Sequence, residues 1–259
     1  MATTLRSKRH RVEDEIDAIE FCFQQGWSDG LPIVEPTIGR VEAFLRFTSL
    51  AEDAPIAVLP SANLQATPWN VAVNGVMAGC KPQHMPLLLA AAEALGDERC
   101  SLNNLGSSSA ILPYMLINGP SAKELGLEAG AQMISRGFNP VLGRALGLIV
   151  RNIAGFRPGE NYMGTFGYQL ALAFAENENE SPWEPFHVEH GFEATASTVT
   201  IGVTNNWGPC PGAASTSDVS AADAVLELVR KEITKKARLY NFPASGLDAE
   251  QVMITVLMS

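Results

Sequence analysis

Thr165-Phe-Gly-Tyr-Gln-Leu-Ala-Leu-Ala-Phe-Ala175 runs without a break into Glu176-Asn-Glu-Asn-Glu-Ser-Pro-Trp-Glu-Pro-Phe-His-Val-Glu-His190. In the first stretch the bulky residues Phe166, Tyr168, Leu170, Leu172 and Phe174 recur at every second position. That is the period of a strand with one side chain set on each face. The second stretch carries five glutamates, two histidines and a tryptophan in fifteen residues. It therefore leaves a sheet at a strand end, loaded with groups that move protons.

Outward from this point, strand-like and helix-like segments alternate. Val12 to Gln25 has Val12, Ile16, Ile19 and Phe23 at helical spacing, and Gly26 ends it. Thr37 caps a second helix through about Phe47. Pro55 to Pro60 reads as a short buried strand. Thr67-Pro68 opens a helix that ends near Gly79, and Pro82 opens another that is apolar nearly all round. Apolar runs follow near Cys100 to Asn103 and over Ile111 to Asn118. Pro140 starts a helix through about Asn152, and Ser197 to Val203 is a further strand. Val219 to Arg238 reads as a long amphipathic helix capped by Asp218 or Ser217, and Val252 to Met258 as a final strand. The pattern predicts an α/β fold: a mixed sheet covered by helices, in a single compact domain over 12–259 after a basic tail at 1–11. A buried strand seldom finishes a chain, so either this one closes a sheet or the chain is a fragment of a longer protein.

The chain has 259 residues, 46% hydrophobic and 18% charged, which is globular composition. A net charge of -10 speaks against nucleic-acid binding, which needs clustered Lys and Arg. No run approaches the ~20 apolar residues of a membrane span, and no signal-peptide core opens the chain. Cys22, Cys80, Cys100 and Cys210 are widely spaced, as reduced thiols would be, and a cytoplasmic location is expected. The expected partner is a small-molecule substrate, with a second copy of the chain or a partner subunit as further partners.

Candidate site residues fall in five places. Glu176, Glu178, His187 and Glu189 are the candidates for proton transfer. Pro182 and Pro185 stiffen the backbone around Trp183, a candidate for substrate contact. In extended geometry His187 and Glu189 share a face and form an imidazole–carboxylate pair. His-x-Glu-His lacks the helical spacing of the familiar zinc motif, so no metal ligands are assigned and no cofactor is read from the sequence. In Gly26-Trp-Ser-Asp-Gly-Leu-Pro32, Asp29 is either an acid, base or anchor lining a pocket with Trp27, or the centre of an Asx turn. Ser107, Ser108 and Ser109, with Asn118 beyond them, are candidates for stabilising negative charge on a substrate. Cys80, beside Lys81 and a helix start, and Cys210, in Gly208-Pro-Cys-Pro-Gly212, are alternative nucleophiles. Arg144 and Arg151 lie seven apart on one helix face, placed either to clamp a carboxylate or to form ion pairs.

Taken in order, Gly26-Trp-Ser-Asp-Gly-Leu-Pro32, Asn74-Gly-Val-Met-Ala-Gly-Cys-Lys-Pro82, Asn118-Gly-Pro120, Gly143-Arg-Ala145, Ala175-Glu-Asn-Glu178, Ser181-Pro-Trp-Glu-Pro185 and His187-Val-Glu189 resemble a bacterial family. Some of its members are associated with a domain bearing a selenocysteine- or cysteine-Gly-Ser-Cys motif. The resemblance covers most of residues 12 to 205 and implies no particular reaction, so no catalytic role is carried over. No Cys-Gly-Ser-Cys occurs here, and members of the family continue beyond the strand that ends this chain. The leading expectation is an acid–base lyase or hydrolase acting on a small polar or anionic molecule. The alternatives are a thiol-dependent redox protein and a non-catalytic subunit.

Overall fold

The computed structural model describes residues 10–106, 112–130, 136–162, 171–204 and 220–240. Its contacts group into two units, Met1–Asn205 and Asn206–Ser259. The first is an α/β structure whose mixed sheet is covered by helices.

The local signals act where the sequence puts them. Helix α1 (Glu15–Gln24) starts where the Asp14 carboxylate accepts the Asp17 amide at 2.9 Å, and the chain turns away at Gly26, φ +68°. Thr37 caps α2 (Ile38–Leu45). Strand β1 (Ala57–Leu59) pairs antiparallel with β2 (Leu64–Ala66). This hairpin partner has no expectation behind it; its three residues are too short to show a period. Helix α3 (Pro68–Ala78) carries a full capping box: the Thr67 hydroxyl accepts the Asn70 amide, and the Asn70 side chain accepts the Thr67 amide at 2.8 Å. It ends at Gly79 in the left-handed region.

Pro82 opens only a 3-10 turn, Pro82–His84, and α4 proper is Met85–Leu95. Pro86 is the reason. Its ring would collide with the carbonyl of Pro82 four residues back, so the α-helix cannot run through both. The apolar run near Cys100 is likewise no strand. Asp97 accepts the Arg99 amide at 2.9 Å and starts a 3-10 turn over Glu98–Cys100; Ser101 then turns left-handed, φ +50°.

The sheet is β3 (Leu112–Asn118) flanked by β4 and β5. Helix α5 (Pro120–Glu124) follows β3 at once, and α6 (Asn139–Asn152) crosses back over the sheet. Strand β4 (Leu172–Ala175) lies parallel to β3, then a single helical turn α7 (Phe186–Glu189) leads to β5 (Thr198–Thr204), antiparallel to β3. Residues 163–170, the start of the expected strand from Thr165, lie outside the described residues.

All seven positions of β3 and all four of β4 are buried, as expected for strands covered on both faces. Met115, Ile117, Ala173 and Ala175 belong to the main core shared with α3, α4 and α6. Tyr114, Leu116, Leu172 and Phe174 form a second cluster on the other face, closed by Phe186 of α7. Tyr114 stacks on Phe174 at 5.8 Å. Phe174 is 2% exposed, and full burial of such a side chain contributes about 1.5–3 kcal/mol.

In the second unit, α8 (Ala221–Tyr240) is capped by Ser220, whose hydroxyl accepts the Asp223 amide at 3.2 Å. The cap is thus later than Asp218 or Ser217, which lie outside the described residues, as does the expected strand Val252 to Met258. Among the described residues no helix is long and apolar enough to cross a membrane.

Candidate active site

Strands β3 and β4 end side by side, with Ile117 opposite Ala175. Asn118 and Glu176 are therefore the first residues past the pairing on neighbouring parallel strands. This carboxyl end of the sheet is where α/β folds place ligands. The Glu176 amide donates to the Ile117 carbonyl at 3.1 Å, which extends the ladder by one bond and aims the two side chains at each other.

Asn118 is fully buried, and its Nδ2 donates to both Glu176 Oε2 and Glu178 Oε1, the latter at 3.0 Å. Glu178 Oε1 also accepts the Gly119 amide at 2.7 Å. Glu176 Oε2 accepts the Phe186 amide at 2.9 Å and so anchors the start of α7. Gly119 adopts φ +84°, and a Cβ there would lie 2.1 Å from the Ala196 carbonyl oxygen. Only glycine admits this approach of the segment leading into β5.

Helix α7 turns His187 inward. It is 2% exposed, and its Nδ1 lies 3.7 Å from Glu178 Oε1. At that distance the two face each other without a hydrogen bond. Both ring nitrogens of His187 lack a hydrogen-bond partner among the described residues, as do Asn118 Oδ1 and Thr198 Oγ1. Thr198 is the register partner of Asn118 on β5, so these four atoms lie at one end of the sheet, while a fifth unsatisfied atom, Asn152 Oδ1, sits apart from them on α6. Buried polar atoms without partners are rare and costly, and sites that await a ligand are one place they persist.

The expected pairing of His187 with Glu189 is corrected. Residues 186–189 form a helical turn rather than an extended segment, so positions two apart point to different sides. His187 is buried and Glu189 exposed. His190 turns back on the start of the same helical turn: its Nδ1 lies 2.8 Å from the Phe186 carbonyl oxygen, and its ring lies 4.2 Å from that of Phe186. Asn118 was expected to stabilise negative charge through its amide group; its Nδ2 is already committed to two carboxylates. Trp183 is 60% exposed and lies outside this buried cluster.

Asp29 is elsewhere. Arg144 Nε and Nη2 each donate to its carboxylate at 2.9 Å, and the Leu31 amide donates to Oδ1 at 3.2 Å, the Asx turn foreseen for this loop. The pair lines a cleft together with Leu112 and Pro113, at the opposite end of β3 from Asn118. Six strand steps separate the two ends, about 20 Å. Trp27 packs against the rings of Phe21 and His10, at 5.6 and 5.7 Å. Ser107, Ser108, Ser109 and Cys210 lie outside the described residues.

Cys80 overturns the expectation of an activated thiol. It is buried, with Val141 O 3.8 Å from its Sγ, and burial pushes its pKa from 9.0 up to about 12. Neither Lys81 nor the helix start offsets that, because Lys81 turns its Nζ over the Phe138 ring at 4.2 Å. At neutral pH the thiolate is then far scarcer than for an ordinary cysteine. Native protein treated with iodoacetamide at pH 8 is expected to show Cys80 unmodified by peptide mass mapping, and fully modified only after denaturation.

Thr198 is the site residue that sequence reasoning missed. It has no local signal; the β3–β5 register alone brings it to Asn118. Among the described residues no group of three or more His, Cys, Asp or Glu is arranged to hold a metal ion. No family model, curated protein or solved structure matches the chain.

Proposed function

We propose that this chain is a small-molecule enzyme working by general acid–base chemistry, a lyase or hydrolase, with Glu178 and His187 as the proton-transfer pair. The observation that carries this reading is a buried imidazole with no hydrogen-bond partner among the described residues, facing a half-buried carboxylate at the carboxyl end of parallel strands. A carboxylate on the Nδ1 side favours the tautomer protonated there, leaving Nε2 to take a proton from a substrate. The 3.7 Å gap suits a pair that tightens when a ligand fills the site. Asn118 Oδ1 would then accept from the bound molecule, and Thr198 Oγ1 would accept from it or donate to it. Glu176 acts as a positioning residue through Asn118 and the Phe186 amide.

Two carboxylates, with no Lys or Arg paired to them among the described residues, favour a polar substrate that brings hydrogen-bond donors over an anionic one. The free thiols Cys22, Cys80 and Cys100 support a reducing, cytoplasmic setting. The ordered motifs support placing the chain with the bacterial family they resemble. Three of them, Asn118-Gly-Pro120, Ala175-Glu-Asn-Glu178 and His187-Val-Glu189, meet at this one site.

The test is a panel of small polar substrates screened with wild type, Glu178→Gln, His187→Ala and Glu189→Gln. Turnover is expected to fall about 100-fold or more in the first two variants. Glu189→Gln, altering an exposed neighbour, is expected to keep wild-type rates. If Glu178→Gln and His187→Ala both turn over like wild type, the reading is wrong.

A further inference from the structure

The cleft at the other end of β3 holds a guanidinium, that of Arg151, which forms no ion pair among the described residues. The cleft has a volume of about 60 Å³, and Asp29, Leu112, Arg144, Arg151, Phe156 and Tyr162 are among its lining residues. Arg144 is neutralised by its two bonds to Asp29. Arg151 is not neutralised in this way. Its Nε donates to the Gly26 carbonyl at 2.9 Å, and among the described residues it forms no ion pair. An arginine does not shed its proton in proteins, so the charge stays.

A second guanidinium lies close by. Arg157 places its Nη1 2.8 Å from where a Cβ on Gly26 would stand, so two guanidinium groups converge on Gly26. Burial and the charge of Arg157 both work against the charged form of Arg151, while Asp29 and Glu160 favour it. In a chain of net charge -10, a cleft whose spare charge is positive is not the default. Leu112 and Phe156 provide apolar walls, which strengthen electrostatic attraction inside the cleft.

We propose that this cleft is a second binding site, for a small carboxylate or phosphate group, held by the guanidinium of Arg151. The size fits that class. Sites for drug-sized ligands and cofactors run from about 300 Å³ upward, whereas a single water needs only about 10–15 Å³. A cleft of about 60 Å³ takes a group of a few heavy atoms, free or as the end of a larger molecule. A planar fork of N–H donors matches either oxyanion. The site is about 20 Å from Glu178 and independent of the reaction proposed there.

The test is titration of wild-type protein with inorganic phosphate and, separately, acetate, at constant ionic strength held with chloride. Binding is read by calorimetry and by the Arg151 Nε–H resonance, which Arg151→Lys identifies by its loss. At least one anion is expected to bind saturably and to move that resonance; which one does so distinguishes phosphate from carboxylate. Arg151→Met is expected to weaken binding by about tenfold or more, and Arg151→Lys, which keeps the charge, by less. Glu178→Gln is expected to bind like wild type. The proposal is overturned if neither anion binds saturably up to about 50 mM, weaker than any specific site of use. It is equally overturned if the resonance stays still during binding, if a folded Arg151→Met binds as well as wild type, or if Glu178→Gln abolishes binding.

Discussion

Arg144→Met is expected to destabilise the protein by about 3 kcal/mol, because it strands the carboxylate of Asp29 without its cation. The pair is well withdrawn from water, with side chains 14% and 18% exposed, and it is bidentate. Arg144 Nη2 also donates to the Leu31 carbonyl at 3.2 Å, so the loss loosens the whole Gly26–Pro32 loop. For a unit of this size the cost corresponds to a fall in Tm of roughly 6–12 °C. The double variant Asp29→Asn/Arg144→Met, which removes both charges, is expected to recover a good part of it. Arg40→Met supplies the contrast. Arg40 and Glu35 are 48% and 29% exposed and 3.8 Å apart, so that pair contributes about 0–1 kcal/mol.

The same pair predicts a pH dependence. Burial by itself would raise the pKa of Asp29, but the hydrogen bonds and charge of Arg144, with the Leu31 amide, hold it below the ordinary 3.8. A carboxyl whose folded pKa is depressed binds fewer protons folded than unfolded near that pH. Its contribution is complete above 3.8 and is lost as pH falls from there through the folded value. The stability gap between wild type and Arg144→Met, measured by urea denaturation, is therefore expected to be level near neutral pH and to shrink as pH falls, starting where the Asp29 left without Arg144 takes up its proton and continuing through the folded value of the wild type. A gap that widens in acid would contradict the assignment.

Gly143→Ala is expected to destabilise by about 2 kcal/mol, although alanine is the better helix former by about 1 kcal/mol. Gly143 lies where α6 crosses the entry to β4. A Cβ on it would stand 2.3 Å from the Ala171 carbonyl oxygen and 3.1 Å from the Ala173 nitrogen, and backbone atoms cannot swing aside as a side chain can. Helix and strand must separate, opening the core around Leu146 and Ala173. Gly147, one turn later, is the control. Its nearest neighbours would be 3.7 and 3.8 Å from a Cβ, ordinary contact distances. Gly147→Ala is expected to stabilise by up to about 1 kcal/mol through helix propensity alone. Urea denaturation of the two variants should thus show shifts of opposite sign. The same sign for both would mean that propensity, and not the α6–β4 approach, decides.

The site was only partly legible in the sequence. The density of acids and imidazoles after Ala175 marked the segment that the fold brings to the end of β3, because a period-2 strand followed by charged residues names a strand exit without any neighbour. Glu178 and His187 meet there, as do Glu176 and Asn118. The partner assigned to His187 was the wrong carboxylate, since five residues between a proline and a glycine do not reveal whether they extend or turn. Asp29 looked like a second acid of the same site, yet a fold can send two polar loops to opposite ends of one strand. Cys80 looked activated by its sequence neighbours; its burial under α6 outweighs them.

Sequence alone determined the elements that close on themselves. The Thr37 and Thr67 caps, the glycine stops at Gly26 and Gly79, and the buried character of β3 depend on hydrogen bonds and periods within a few residues. Tertiary structure decided what depends on register between distant segments. It paired Arg144 with Asp29 across 115 positions, brought Glu178 to Asn118 across 60, and set Thr198 opposite Asn118. The physical reason is that a local bond is favoured by the chain's own geometry, whereas a distant contact forms only once the packed sheet has fixed where each strand ends.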